Sequence, residues 1–125
     1  MSENNFLDLF DFYYGALIIV KIVDPDSLEW VDPPRGYYLS DVKKKVLWTD
    51  DETGAKIALV KAPVGVMDRL HSHPDANQFV MILTGDRKWF FSYVHKGEKH
   101  GRSMVKEETV GLFIWDGPPE TKVEE

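Results

Sequence analysis

The feature that most constrains the fold of this chain is a series of short apolar and β-branched runs, each followed by a turn signal. Clusters of Gly, Pro, Asp and Asn separate the runs, and no long segment repeats apolar residues at helical spacing. Runs of this kind are typical of β-strands joined by tight turns. The predicted strands are Ala16–Val23, Lys43–Thr49, Lys56–Lys61, Val66–His73, Gln78–Leu83, Arg87–Val94 and Thr109–Trp115. The sequence therefore predicts an all-β protein, either a small barrel or a sandwich.

Length and composition indicate one domain. A chain of 125 residues with 43% hydrophobic residues is long enough to bury a sizeable core. We predict a single domain over 1–125, with an N-terminal arm over 1–14 and a flexible tail over 120–125. The arm is rich in aromatic residues. Leu7, Phe10 and Tyr14 fit a helical stripe, but a strand or an oligomer contact fits the aromatic density equally well.

The net charge of −6 argues against nucleic acid and anionic membranes as partners, because phosphate groups need basic surfaces. The lysine run Lys43–Lys45 is interpreted as a solvated strand edge. An acidic protein can still contain a local cationic pocket, so a small acidic ligand is not excluded.

Two absences narrow the chemistry and the location. The chain has no cysteine, so any metal must be bound through nitrogen and oxygen ligands. The N-terminal segment has no basic stretch of the kind that begins a signal peptide, and the apolar run Ala16–Val20 is far shorter than the ~20 residues of a membrane span. We expect a cytoplasmic protein.

The strongest functional signal is a glycine-bounded segment that contains two histidines. His71 and His73 are one residue apart, Gln78 follows, and Gly65 and Gly85 close the segment. In an extended chain His71 and His73 point to the same side. Two imidazoles on one side can converge on a single metal ion, and Gln78 could add an oxygen.

This segment resembles the first signature of the cupin family. Gly65, His71, His73 and Gly85 match its spacing, and Gln78 stands where a glutamate is usual. The resemblance implies a small cupin-type β-barrel, that is, a double-sheet jelly roll, which binds a divalent metal. The ligand types do not choose among Mn, Fe, Ni, Co and Zn.

A second cupin signature would supply a third histidine. Gly97 and His100 fit it, with His95 in the position of its proline, so the implied ligands are His71, His73, Gln78 and His100. The closing part of the chain is also similar to cupins that linearise unsaturated uronates.

One difference from that pattern concerns the length between the two signatures. Only 14 residues, from Asp86 to Lys99, separate Gly85 from His100. The shortened region predicts a missing hairpin, which would open the pocket or leave an edge for a partner chain. We expect a homodimer.

Three further residues are candidates for substrate binding. Arg69 precedes His71 by two residues, so in a strand it shares the ligand side and could hold a carboxylate. Trp89 and Phe91 alternate on one face with Tyr93, and these rings could line a cavity or simply fill the barrel.

These observations favour a metal-binding cupin that acts on a small acidic or sugar-derived metabolite, with isomerase-type or dioxygenase-type chemistry. The alternative is a non-catalytic module that senses a small ligand or a metal. A third hypothesis is a barrel without metal that serves as a dimeric interaction unit. Fold resemblance by itself does not choose among these.

Overall fold

The computed structural model describes residues 6–13, 16–33, 42–65, 68–102 and 104–124. Within these ranges the chain is almost entirely β-structure, with one short 3₁₀ helix at Pro25–Ser27. The strands are β1 (Phe6–Tyr13), β2 (Ala16–Val23), β3 (Lys43–Thr49), β4 (Lys56–Ala62), β5 (His71–Ser72), β6 (Gln78–Ile82), β7 (Phe91–Val94), β8 (Thr109–Trp115) and β9 (Lys122–Val123). The all-β prediction is confirmed.

Two predicted strands are shorter in the structure. The first histidine segment forms a strand only at His71–Ser72, and Val66 at the start of its predicted range lies outside the described residues. The segment beginning at Arg87 becomes a strand only at Phe91, because the chain turns first. Trp89 has a positive φ of 72° within this turn and donates its N–H to the carbonyl of Ile82 at 2.7 Å.

The main layer is a five-stranded antiparallel sheet in the order β3-β4-β8-β6-β7. Its register aligns residues of β4, β8 and β6 into rungs, so that Lys56 pairs with Trp115 and Trp115 pairs with Gln78. Side chains alternate between the two faces of each strand. The side chains of Lys56, Trp115 and Gln78 therefore point to the same face of the sheet.

The second layer is smaller and is built around β5. β5 pairs antiparallel with β9 along one edge. On its other edge, His71 of β5 forms an antiparallel bridge with His100. Within the range 120–125, for which the sequence predicts a flexible tail, Lys122–Val123 and Glu124 pack along β5. The side chain of Ser72 donates to the carboxylate of Glu124 at 2.8 Å, and the N–H of Glu124 donates to the carbonyl of Leu70. The edge of β5 offers backbone groups that these residues satisfy.

The N-terminal arm forms a hairpin. β1 pairs with β2 along its full length, from Phe6 opposite Val23 to Tyr13 opposite Ala16. Leu7 and Phe10 thus lie in a strand rather than on a helical stripe, while residues 1–5 and Tyr14 lie outside the described part. Among the described residues, no helix has the length and apolar character needed to cross a membrane.

The densest packing lies on the inner face of the main sheet. Trp115 is 8% exposed and packs with Ala58 and Ala76, while Val42 and Val60 form a second buried cluster. Fully burying an aromatic side chain contributes about 2–3 kcal/mol to folding. These clusters hold the sheet against the segment that carries the histidines.

Candidate metal centre

The two layers bring three histidines together at one point. His71 lies in β5 and His73 follows it, while His100 reaches them from a distant segment through a pair of backbone hydrogen bonds with His71, at 2.8 and 2.9 Å. The ring centroids are 4.3 to 5.1 Å apart. One potential ligand atom from each residue lies within 4.8 Å of the others. The three predicted histidines therefore form one cluster.

Each ring is anchored through its Nδ1 atom. Nδ1 of His71 contacts the carbonyl oxygen of Arg69 at 2.5 Å, Nδ1 of His73 contacts that of Glu120 at 3.2 Å, and Nδ1 of His100 contacts that of Glu98 at 3.2 Å. A carbonyl oxygen only accepts, so each Nδ1 carries a proton, and in the neutral ring Nε2 then keeps a lone pair. This arrangement is the usual outer support of a metal-binding histidine.

The remaining nitrogen of His100 gives an independent test of whether the cluster fits a metal ion. Its Nε2 atom is buried and, among the residues that the structure describes, has no hydrogen-bond partner. A buried polar atom without a partner costs about 1–3 kcal/mol, so proteins rarely leave one unmatched. A metal ion bound by the Nε2 lone pair would satisfy this atom, and three imidazoles are a donor set that divalent transition metals accept.

The surroundings favour neutral imidazoles, which metal binding requires. The pKa of His73 is lowered to about 4, chiefly by burial and to a smaller extent by the neighbouring His100 and His71, while its hydrogen bond to the Glu120 carbonyl opposes the shift. Burial also lowers the pKa of His100. At neutral pH these two rings are therefore uncharged and can donate lone pairs without first losing a proton.

Two glycines shape the segment that delivers His100. Gly97 has a φ of +81° and donates its N–H to the carbonyl of His73 at 2.9 Å, as the turn predicted at this glycine requires. Gly101 has a φ of +119°, and a Cβ atom there would lie 3.2 Å from Nδ1 of His71 and against the carbonyl oxygen of Arg69. The absence of a side chain at 101 lets the backbone approach the histidine cluster.

Gln78 faces the same cavity as the histidines. Its side-chain oxygen accepts a 3.0 Å hydrogen bond from the indole N–H of Trp115, and the side chains of both residues are buried. An amide oxygen has two acceptor sites, so the indole bond leaves one of them open. The indole therefore fixes the direction in which the Gln78 amide points.

Asn77 is a structural residue of the site that the sequence analysis missed. Its side chain donates to the carboxylate of Asp116 at 2.8 Å and accepts from the N–H of Lys96 at 2.8 Å. It thereby joins the turn after His73 to the end of β8 and to the segment that leads to His100. An asparagine in a tight turn is too common to signal this role in a sequence.

The predicted substrate residues are placed differently by the structure. Trp89 and Phe91 are 64% and 57% exposed and do not line the cavity, whose wall at β7 is made by Ser92 and Val94. For Phe91 the reason is strand alternation, because odd positions of β7 point away when the even positions point inward, whereas Trp89 lies in the turn before β7. Arg69 also does not line the cavity, and it contributes its backbone carbonyl to His71 instead.

Comparison with solved structures identifies the fold. No family model and no curated protein sequence matches the chain. Among solved structures, the cupin domain of Cnp3 from Schizosaccharomyces pombe matches with a TM-score of 0.64 at 12% identity, over 90% of this chain and 88% of that domain. The chain has the cupin fold.

Two further structures that match the chain are named as dioxygenases. A protein of Methylibium petroleiphilum assigned as an acetylacetone dioxygenase matches with a TM-score of 0.66 at 14% identity, over 83% of this chain and 80% of its own. An acetylacetone dioxygenase of Acinetobacter johnsonii matches with a TM-score of 0.60 at 17% identity, over 95% and 85%. At such identities the likeness establishes the fold, and the chemistry must be argued from the site.

The cavity of the protein lies between the two layers and measures about 720 Å³. This volume is in the range of small-molecule sites, which supports a small ligand. Charged residues line it on both sides: Lys44, Lys56, Asp68, Asp86, Arg87, Lys106 and Glu120. The inward position of Lys56 could be predicted from the sequence, because strand alternation places Lys56 on the same face of β4 as Ala58 and Val60.

Proposed function

We propose that this protein is a metal-dependent cupin enzyme acting on a small acidic or sugar-derived metabolite. His71, His73 and His100 bind a divalent metal ion, and Gln78 provides the fourth protein ligand. The observation that carries the proposal is the anchoring of all three rings through Nδ1, together with the buried and unpartnered Nε2 of His100.

The proposed ligand set is uncharged. Three neutral imidazoles and one amide leave the bound ion with its full positive charge, and such an ion acts as a Lewis acid on a carbonyl or hydroxyl group. The three histidines line the cavity, so an ion that they bound would supply its Lewis-acid chemistry to a substrate in that cavity. Isomerisation of a sugar acid and oxygen-dependent cleavage both fit this arrangement.

The residues around the ion also suggest how protons are handled. Asp68 lines the cavity with a carboxylate oxygen 3.7 Å from Nδ1 of His71, whereas Glu120 contacts Nδ1 of His73 through its backbone carbonyl. The Asp68 carboxylate can accept a proton from a bound substrate. The wall made by Trp115 and Phe113 excludes water from that side of the cavity.

Metal analysis of protein prepared without a histidine tag tests the metal centre. We expect close to one equivalent of a divalent metal in the protein, and less than a tenth of that in His71→Ala and His73→Ala. His95→Ala is the matched control because His95 is exposed and outside the cluster. Equal metal content in all four proteins would contradict the ligand assignment.

Turnover assays test the enzymatic part. The protein is loaded in turn with Mn, Fe, Ni, Co and Zn and offered unsaturated uronates, followed by loss of their ultraviolet absorbance, and acetylacetone, followed by oxygen consumption. Turnover that disappears in His73→Ala supports an enzyme. Metal binding without any turnover would instead support the alternative, a sensor module that uses the same centre.

A further inference from the structure

Three successive lysines of β3 have different environments. Lys43 forms an ion pair with Asp32, and Lys45 is buried and donates to the carbonyl of Pro25 at 2.8 Å. Lys44 points to the opposite face and lines the cavity. The lysine run is therefore not simply the solvated strand edge that the sequence suggests, because β3 is covered on both faces.

A second cavity lysine lies on the neighbouring strand. Lys56 of β4 lines the same cavity as Lys44, and in the part of the chain that the structure describes neither ammonium group has a hydrogen bond or an ion pair. Burial lowers the pKa of Lys44, and the like charge of Lys56 lowers it further. Two uncompensated positive charges facing one cavity are costly, and a bound anion would offset that cost.

The position of the pair relative to the histidines follows from the register. Lys56 occupies the rung of Trp115 and Gln78, so its Cα lies about 10 Å from that of Gln78, two strand spacings away. Lys44 lies opposite Val60, four residues further along β4. The lysines therefore belong to the β3–β4 wall of the cavity, whereas the histidines belong to the facing layer.

The charges of the cavity are separated in the same way. The Asp68 carboxylate lies 3.7 Å from Nδ1 of His71, on the histidine side of the cavity. A ligand that extends across the cavity would meet a metal at one end and two ammonium groups at the other. Lysine ammonium groups bind carboxylates and phosphates as point charges without demanding one orientation.

We propose that Lys44 and Lys56 form an anion-binding subsite, which holds the carboxylate or phosphate group of a small substrate whose other end reaches the histidine cluster. This inference rests on the proposed function in taking the cavity as the substrate site. It assigns the acidic group of the substrate to two lysines rather than to Arg69. The subsite itself does not need the metal.

Calorimetric titration of the full-length, metal-free protein at pH 7 and low salt tests the subsite. The probes are D-glucuronate, glucose 6-phosphate and neutral glucose, which separate a carboxylate from a phosphate and both from the sugar. We expect one or both anions to bind at least tenfold more tightly than glucose. Raising the salt concentration weakens that binding, because the attraction is electrostatic.

Matched variants assign the binding to the pair. Lys44→Met and Lys56→Met each weaken anion binding at least fivefold, while Lys44→Arg keeps the charge and retains binding within about twofold. Lys61→Met is the control, since Lys61 lies on β4 but on the opposite face, above the ring of Trp30. Thermal melts accompany every variant, and Lys44→Met should melt no lower than the parent because it removes an uncompensated charge.

Two results would overturn the subsite: equal affinity for the anions and for glucose, or equal weakening by Lys61→Met and Lys44→Met. Failure of the metal centre would look different. If His71→Ala left the metal content unchanged while anion binding still depended on Lys44, the proposed function would fall and the anion subsite would stand.

Discussion

The indole N–H of Trp115 donates a 3.0 Å hydrogen bond to the side-chain oxygen of Gln78, and the two residues are paired on one rung of the main sheet. This bond connects β8 to the first strand residue after the histidine segment. It fixes an amide that would otherwise turn about its terminal bond. The rigidity of the candidate metal centre therefore depends on a tryptophan from the far end of the chain.

A double-mutant cycle measures this contact. Trp115→Phe leaves the buried Gln78 oxygen without its donor and opens a small cavity, so we expect a loss of about 2–4 kcal/mol in the free energy of unfolding. Gln78→Met removes the acceptor. The double variant should be more stable than the sum of the single losses predicts by about 1 kcal/mol, measured by chemical denaturation. Additive losses would mean that the hydrogen bond contributes nothing.

Gly101 should be the least replaceable glycine near the site. Gly101→Ala combines an unfavourable positive φ with a contact against the Arg69 carbonyl, and we expect a loss of about 3 kcal/mol together with weaker metal binding. Gly97→Ala is the matched control, because its φ is also positive but, among the described residues other than its chain neighbours, no atom lies within 4 Å of the added Cβ. It should cost about 1 kcal/mol and leave metal content intact. Similar effects of the two substitutions would contradict the steric argument.

The metal-free protein should lose stability as the pH falls from 7 towards 4. The pKa of His73 is about 4 in the folded protein and near 6.5 ordinarily, so the unfolded chain binds more protons between these values. The stability that neutral His73 contributes is complete above about pH 6.5 and is lost as the pH approaches 4. One proton accounts for at most about 1.4 kcal/mol per pH unit.

Denaturation curves at a series of pH values check this dependence. His73→Gln should flatten the pH profile, because the substituted side chain does not titrate. His95→Gln, at an exposed site, should leave the profile unchanged. If the free energy of unfolding of the His73→Gln protein depended on pH as steeply as that of the parent, the acid sensitivity would belong to other groups.

Asn77 should affect both stability and metal binding. Asn77→Ala removes the hydrogen bonds to Asp116 and from Lys96, and we expect a loss of about 1–2 kcal/mol and a metal affinity lower by about tenfold. Asp50→Ala is the control, because it removes two comparable turn hydrogen bonds, from Glu52 and Thr53, in the β3–β4 connection. It should lower stability without changing metal affinity. Competition with a chelator measures the difference.

The local pattern of the sequence was sufficient for several strands and for naming the candidate ligands. Short apolar runs and turn signals predicted β3 and β8 with the bounds that the structure gives them, because both strands end at clear turn residues. The spacing of His71 and His73 put both on one side of an extended segment, and the glycine before His100 indicated the turn that delivers the third ring. Strand bounds, histidine spacing and turn positions are properties of short segments, and they do not depend on how distant segments pack.

Only the tertiary structure decided which faces meet. Alternation groups Phe91 with Tyr93 but does not say whether their face is inside, and the structure exposes both rings while Ser92 and Val94 line the cavity. Three other features likewise depend on pairings between residues far apart in the chain. They are the pairing of β9 with β5, the hydrogen bond from the indole of Trp115 to Gln78, and the position of Lys44 in the cavity wall. A sequence specifies such pairings only through the packing of the whole fold, so local periodicity cannot reveal them.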